Sequence, residues 1–352
     1  MKPLIGTPVF RVGDARYYWE DVLLAGVLHG EWALLERQVR EELGSARRHE
    51  STGAPLPSTE IETAAAEFRY ARGLVSASEM HAWLDAWGMS AGEWMSFIRR
   101  AYLREHAADT VGPNIATFAA SPEEIATAMP ASFICSGLGA RLAKHLAEQV
   151  AATERVDLVE DFDTGQTVDA LLARFPGDID ISPFGVLEDE RLRERRRVVA
   201  RLEHGYARFR DQVLTPNALD RELQTRHLDW IRVDYRSVAF SRKSLAREAV
   251  FCVREDRLDV GVVAEQAGAV LRSASQCLAD VSGEIRDRLL AARAGELVGP
   301  LRENGGFVIH QIDAKRLPSL DDPDVRERVE ASVVERRLAA AVNDLVQWHV
   351  AL

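Results

Sequence analysis

Apolar residues recur at spacings of three and four along the first hundred positions, which predicts a run of amphipathic helices. Residues 8–13 read as a short extended piece ending in a turn. From Tyr17 onward, Trp19, Val22, Leu23, Val27 and Leu28 mark one helical face. After His29-Gly30, the residues Trp32, Leu35, Val39 and Leu43 form the stripe of a second helix. A breaker with Pro55 and Pro57 precedes a third, bearing Ile61, Ala65 and Phe68. Thr59/Glu62, Ser76/Glu79 and Ser90/Glu93 have the spacing of capping boxes, in which each side chain serves an orphan N–H of the first turn. After a looser stretch over 109–121, helix is expected again over 123–154. An acidic connection over 157–187, with one helical turn near 168–175, leads to a long helical region over 188–228. Pro216 breaks that region, because proline disfavours helix at the residue before it.

The period then changes to two. Residues 230–240, 270–277 and 306–314 read as strands with one buried face, and 245–254, 260–267 and 283–292 as helices between them. The last segment, 324–349, carries Val325, Val329, Val333, Leu338, Val342 and Leu345 at helical spacing. The expected fold class is α+β. A helical domain (1–155) is followed by a linker with long connector helices (156–228), a small α+β domain (229–317) and a C-terminal helix (318–352) that packs back on the helical domain.

Composition narrows the function classes. Hydrophobic residues make up 47% and charged residues 28% of the 352 positions, the balance of folded globular domains. A net charge of -11 argues against a general nucleic-acid binder, which must neutralise phosphates. The dense run Arg191, Arg193, Arg195, Arg196 and Arg197 alternates with acids and reads as a salt-bridged, solvated helix face. The three cysteines are widely spaced and form neither a disulfide framework nor a zinc pattern. The acids Asp157, Glu160, Asp161, Asp163, Asp178 and Asp180 lack the spacing of a calcium loop and read as a solvated linker. No metal and no cofactor is expected. The opening residues have no apolar signal core, and no apolar run reaches the ~20 residues of a membrane span. The expected setting is cytoplasmic, with no membrane partner.

Two regions resemble the SurA and parvulin (PpiC-like) peptidyl-prolyl isomerase family. In the first, residues 67–74 and 78–84, the turn Gly88-Met89-Ser90, and Trp94 with Ile98-Arg99-Arg100 follow one another as in the helices of SurA-type chaperones. The second is Gly295-Glu296-Leu297-Val298-Gly299-Pro300-Leu301, then Gly305-Gly306-Phe307-Val308-Ile309-His310, matching the closing segments of parvulin domains. The resemblance implies a SurA-like helical domain and a parvulin-like domain that bind polypeptide. As a whole the chain looks like parvulin-related proteins found beside peptide-modifying enzymes. That implies a ribosomal precursor peptide as client and a modifying enzyme as partner. The catalytic pattern is degenerate. Parvulins place one histidine on the first strand, matched here by Tyr235-Arg236-Ser237-Val238, and another directly after the Gly-Phe pair, where Val308 stands. A Gly-rich stretch before the second strand has no counterpart.

The expectation is therefore a peptide-binding, chaperone-like protein with weak or absent isomerase chemistry. Tyr235, Phe240, Phe307, Val308, Trp83 and Trp94 are the candidate contact residues. His310, on the same strand face as Val308, is the candidate replacement imidazole. Two alternatives remain open: an active prolyl isomerase using His310, and a cysteine-dependent peptide-modifying enzyme at Cys135. The second would place the thiol at a helix N-terminus, with His145 or His106 as base. A third reading is a structural subunit that docks through its last helix.

Overall fold

The computed structural model describes residues 1–106, 118–156, 162–177, 180–281, 283–303 and 305–350. Most of the looser stretch at 109–121, and Asp157, Glu160, Asp161 and Asp178 of the acidic connection, lie outside them. The chain is an α+β protein that divides into two compact units, Met1–Arg210 with Leu338–Leu352, and Asp211–Arg337.

The first unit opens with a hairpin, β1 (Pro8–Val12) and β2 (Ala15–Tyr18), turning at Gly13 with φ +56°. Among the described residues, eight helices precede the long α9 (Asp189–Val213): α1 (Trp19–Leu28), α2 (Glu31–Ser51), α3 (Ser58–Ala71), α4 (Ala77–Trp87), α5 (Ala91–Glu105), α6 (Pro122–Cys135), α7 (Leu138–Thr153) and α8 (Phe162–Leu172). All ten residues of α1 are buried. Gly26 lets α1 approach α7, since a Cβ there would stand 2.7 Å from Leu142 Cδ1. Ser76/Glu79 and Ser90/Glu93 form their capping boxes, as does Ser121/Glu124. Thr59/Glu62 does not, because α3 starts behind Pro57 and Thr59 is already inside it.

Two helical expectations are corrected at the chain ends. Tyr17 belongs to β2, where its ring stacks on Phe10 at 5.0 Å. The last helix, α14 (Pro323–Leu345), stops before 349, and β7 (Val346–Trp348) pairs antiparallel with β1. Val346 and Trp348 lie opposite Val12 and Phe10, so a β-branched and an aromatic residue complete a three-stranded sheet of order β2-β1-β7.

The arginine run on α9 is also corrected, because two of its members turn inward. Arg191 pairs with the fully buried Glu20 at 2.5 Å, and Arg195 lies 3.6 Å from the fully buried Asp21. Both guanidinium groups stand over the ring of Tyr18. The carboxylates occupy the first turn of α1, where Gly6 N–H donates to Glu20 and Tyr18 N–H to Asp21. The positive end of the helix dipole favours acids there.

The second unit contains α10 (Pro216–Thr225), capped by Thr215, and a four-stranded antiparallel sheet of order β4-β3-β6-β5. Its strands are β3 (Arg232–Phe240), β4 (Leu271–Cys277), β5 (Leu297–Glu303) and β6 (Gly306–Arg316). Helices α11 (Lys243–Arg254) and α12 (Val260–Gln266) cover one face, over Val238, Phe240 and Ile309. Helix α13 (Gly283–Ala291) covers the other, over Val233, Tyr235 and Ile312. Strand β5 was not expected as a strand. It is an edge, the position Pro300 requires, and its register shifts between Val298 and Leu301. Gly295 has φ +85°. It leads into β5 and donates its N–H to Ile312 O at 2.7 Å.

Burial pushes the Asp21 carboxyl up from 3.8 to about 7, against the opposing pull of Arg195 and the Tyr18 N–H. Between those values the folded chain holds a proton that the unfolded chain releases, so this group makes stability fall as pH rises through that window. Urea unfolding of the wild type and Asp21→Asn at pH 5 and pH 8 should show the wild type losing more stability on going to pH 8. Equal pH dependence in both would remove Asp21 as the cause.

Candidate functional site

Strand pairing places His310 on the same sheet face as Val308, as the period of two requires. His310 lies opposite Ser237 on β3 and Val298 on β5. The residue is 3% exposed, and its Nε2 lies 2.8 Å from Glu303 Oε1. With Glu303 as acceptor, Nε2 carries the proton. The ring of Tyr235 meets the imidazole edge to face at 5.1 Å, and the Tyr235 hydroxyl donates to Gln276 Oε1 at 2.6 Å. Burial, with Glu303 second, holds that phenol above its ordinary pKa. The Nδ1 of His310 is buried and has no hydrogen-bond partner among the described residues.

The imidazole therefore has its protonated nitrogen committed to a carboxylate and its other nitrogen sealed from solvent. A general acid or base must reach the atom it serves within hydrogen-bond distance. Here, Tyr235 and Glu303 occupy two sides of the ring. Four well-defined cavities are lined by residues of the first unit, none of them by His310 or another residue of this sheet.

The remaining contact candidates do not converge. Tyr235 and Val308 lie on the α13 side of the sheet, whereas Phe240 and Phe307 pair with each other on the opposite side, in the core beneath α11 and α12. Trp83 and Trp94 surround Phe68 at ring distances of 5.6 and 5.8 Å and serve as packing between α3, α4 and α5. The residue types were apolar and aromatic as a recess demands, but the sheet register divides them.

Cys135 is corrected more sharply. It is the last residue of α6, not the first of a helix, and is 2% exposed. Its Sγ lies 3.7 Å from Met89 Sδ, and burial pushes its thiol up to about 12 in spite of Arg72 and Arg100. His106 bonds its own helix at Tyr102 O, and His145 belongs to a polar group with His29, Gln149 and Glu203. Neither serves the thiol.

No sequence signal marks the feature that the helical unit builds between α2, α5 and α6. There a groove of about 960 Å³ is lined by Leu43, Ser96, Arg100, Ala128, Pro130 and Ala131. Behind it, the fully buried Glu42 accepts from Gln38 at 2.8 Å and from Ser132 at 3.1 Å, and faces Arg104 at 3.6 Å and Arg100 at 3.9 Å. Desolvation lowers the Arg100 pKa, and its buried Nε and Nη2 make no hydrogen bond among the described residues. The volume suits a ligand segment of several residues. The α6 wall offers small side chains that let a backbone come close. Among the described residues, no group of three or more His, Cys, Asp or Glu could hold a metal ion.

No family model matches the chain, and no curated protein matches it. Solved structures do show similarity. The peptidylprolyl isomerase PrsA from Bacillus anthracis is 14% identical, covering 58% of this chain and 94% of that one at a TM-score of 0.29. PrsA from Bacillus cereus is 11% identical, covering 67% and 90% at 0.36. A chain from the structures of PEB4 and Cj1289, SurA-like chaperones of Campylobacter jejuni, is 9% identical, covering 61% and 88% at 0.19. Overlap at this level says nothing about activity, so the residues of this chain must carry the functional conclusion.

An aromatic disulfide reagent at pH 8 should modify the half-buried Cys252 in the folded protein and leave Cys135 and Cys277 until unfolding. Labelling of Cys135 as fast as Cys252 would restore the thiol as a candidate nucleophile.

Proposed function

We propose that this chain holds polypeptide segments in the manner of a chaperone and has no effective prolyl isomerase chemistry. The observation that carries this reading is the state of His310. It is the one imidazole on the four strands, and it is buried, paired with Glu303 and covered by Tyr235. The groove bordered by α2, α5 and α6 supports the holding role, since its lining mixes apolar and small residues with Arg100, Glu93, Glu123 and Glu124. The sequence resemblance to SurA and parvulin proteins points the same way. It extends the reading to a ribosomally made precursor peptide as client and a modifying enzyme as partner.

A chemically unfolded, reduced client such as lysozyme, diluted into buffer, should aggregate several-fold less with an equimolar amount of this protein. No suppression at any ratio would end the holding reading. In an isomerisation assay on a proline-containing peptide, the rate should stay at its uncatalysed value, set by a barrier of ~18–20 kcal/mol, and His310→Ala should leave it there. Acceleration that is lost in His310→Ala would replace this reading with an active isomerase.

A further inference from the structure

We propose that the free edge of β4 takes up client polypeptide as an added antiparallel strand, a binding mode that rests on the holding role proposed above. The two edges of the four-stranded sheet differ. Strand β5 is guarded by Pro300, which has no N–H, and by its register shift. Strand β4 pairs with β3 over seven consecutive residues, Leu271 to Cys277, with no irregularity. It contains no proline, and its only charged residue is Arg272. Natural edge strands of this length are normally blunted by charge, proline or a bulge.

The ladder identifies which groups are free. Leu278 N–H donates to Ile231 O, so residues 276, 274 and 272 continue the pairs whose N–H and C=O turn toward β3. Leu271, Ser273 and Ser275 turn theirs outward. Among the described residues these backbone groups have no partner, and all three residues are exposed. Beside them lies an apolar strip. Val270 is 70% exposed, Val262 on α12 42% and Leu271 37%. Leu271 borders α12, its Cδ2 lying 3.5 Å from where a Cβ on Gly261 would stand. An incoming strand would gain main-chain bonds along the edge. Every second side chain would lie toward Leu271 and Val262, and the alternate ones toward Arg272, Ala274 and Gln276. Such recognition tolerates many sequences, provided the segment is extended, apolar at alternate positions and free of proline where it pairs.

A second copy of this chain fits the edge less well. A seven-residue strand is roughly 23 Å long and presents a flank about 10 Å deep, so two edges would bury about 500 Å² in all. A stable dimer needs ~1,200–2,000 Å². The net charge of -11 also sets two copies against each other.

The test uses the intact chain and a fluorescent nine-residue peptide of alternating valine and serine. Two further versions are N-methylated along one edge or along the other. The unmodified peptide should bind, and at least one methylated version should bind at least tenfold more weakly. Ser273→Pro removes only an outward N–H, and should weaken binding tenfold or more with an unchanged circular dichroism spectrum. Equal binding by all three peptides, or by Ser273→Pro and wild type, would overturn strand addition at β4. So would a concentration-dependent dimer that Ser273→Pro dissolves. Suppression of lysozyme aggregation separates the two ideas. If Ser273→Pro protects as well as wild type, the edge proposal fails and the holding role stands; if wild type itself does not protect, the holding role fails.

Discussion

Antiparallel pairing of β3 with β6 is the constraint from which the rest of the second unit follows. Nine positions of β3 find partners on β6, from Arg232 opposite Arg316 to Phe240 opposite Phe307. Because side chains alternate, this one register assigns Val238, Phe240 and Ile309 to the face under α11 and α12, and Val233, Tyr235 and Ile312 to the face under α13. A slip of one residue would invert both cores. The single irregularity leaves Asp313 without a partner on β3, and its carboxylate takes Arg236 Nε at 3.1 Å. The same register sets His310 beside Tyr235 and within reach of Glu303. The state of the imidazole is therefore a consequence of how the sheet is built.

In the first unit, buried ionic groups fix helices in place. Glu20 and Asp21 draw Arg191 and Arg195 of α9 onto the start of α1, and Glu42 of α2 faces Arg100 and Arg104 of α5. Desolvating such charges costs several kcal/mol per ion before their attraction is counted, so the pairs are weak sources of net stability. Their consequence is geometric. A buried carboxylate tolerates few alternative arrangements of its partners, and Glu42 thereby holds the Arg100 side chain at the wall of the α2, α5 and α6 groove. The tryptophans were the natural candidates for such a lining, yet Trp83 and Trp94 face the Phe68 cluster, while Ser96 and Arg100 of α5 border the groove.

What could be read from the sequence was the part written in local periodicity. The succession of helices, the caps at Ser76 and Ser90, the break at Thr215-Pro216 and the strands β3, β4 and β6 all depend on residues within a few positions of one another. Elements whose partners lie far along the chain were not legible. Strand β7 exists because Val346 and Trp348 meet a hairpin more than 330 positions away, and a helical stripe running to Leu345 gave no reason to stop there. The inward turn of Arg191 and Arg195 depends equally on carboxylates about 170 positions distant. At the candidate site the residue types were legible but the faces were not, because the division of Tyr235 from Phe240 depends on register. Glu303 had no signal at all: it sits seven residues from His310 and reaches it only across the β5–β6 hairpin.

Holding a chain and isomerising it make different demands on this scaffold. Isomerisation needs a polar group at a twisted amide in an accessible recess, and the sheet has closed its one imidazole behind Tyr235 and Glu303. Strand addition needs only unpaired backbone, which the ladder supplies wherever an edge is left unguarded. Pro300 and the shifted register deny this to β5, whereas Ser273 and Ser275 leave it available on β4. Backbone recognition is blind to most side chains, and its affinity grows with the length of segment that can lie flat along the edge. A protein that meets unfolded segments of many sequences benefits from both properties. On the strand-addition proposal the binding surface would be the ladder itself, a use of the sheet that requires no imidazole.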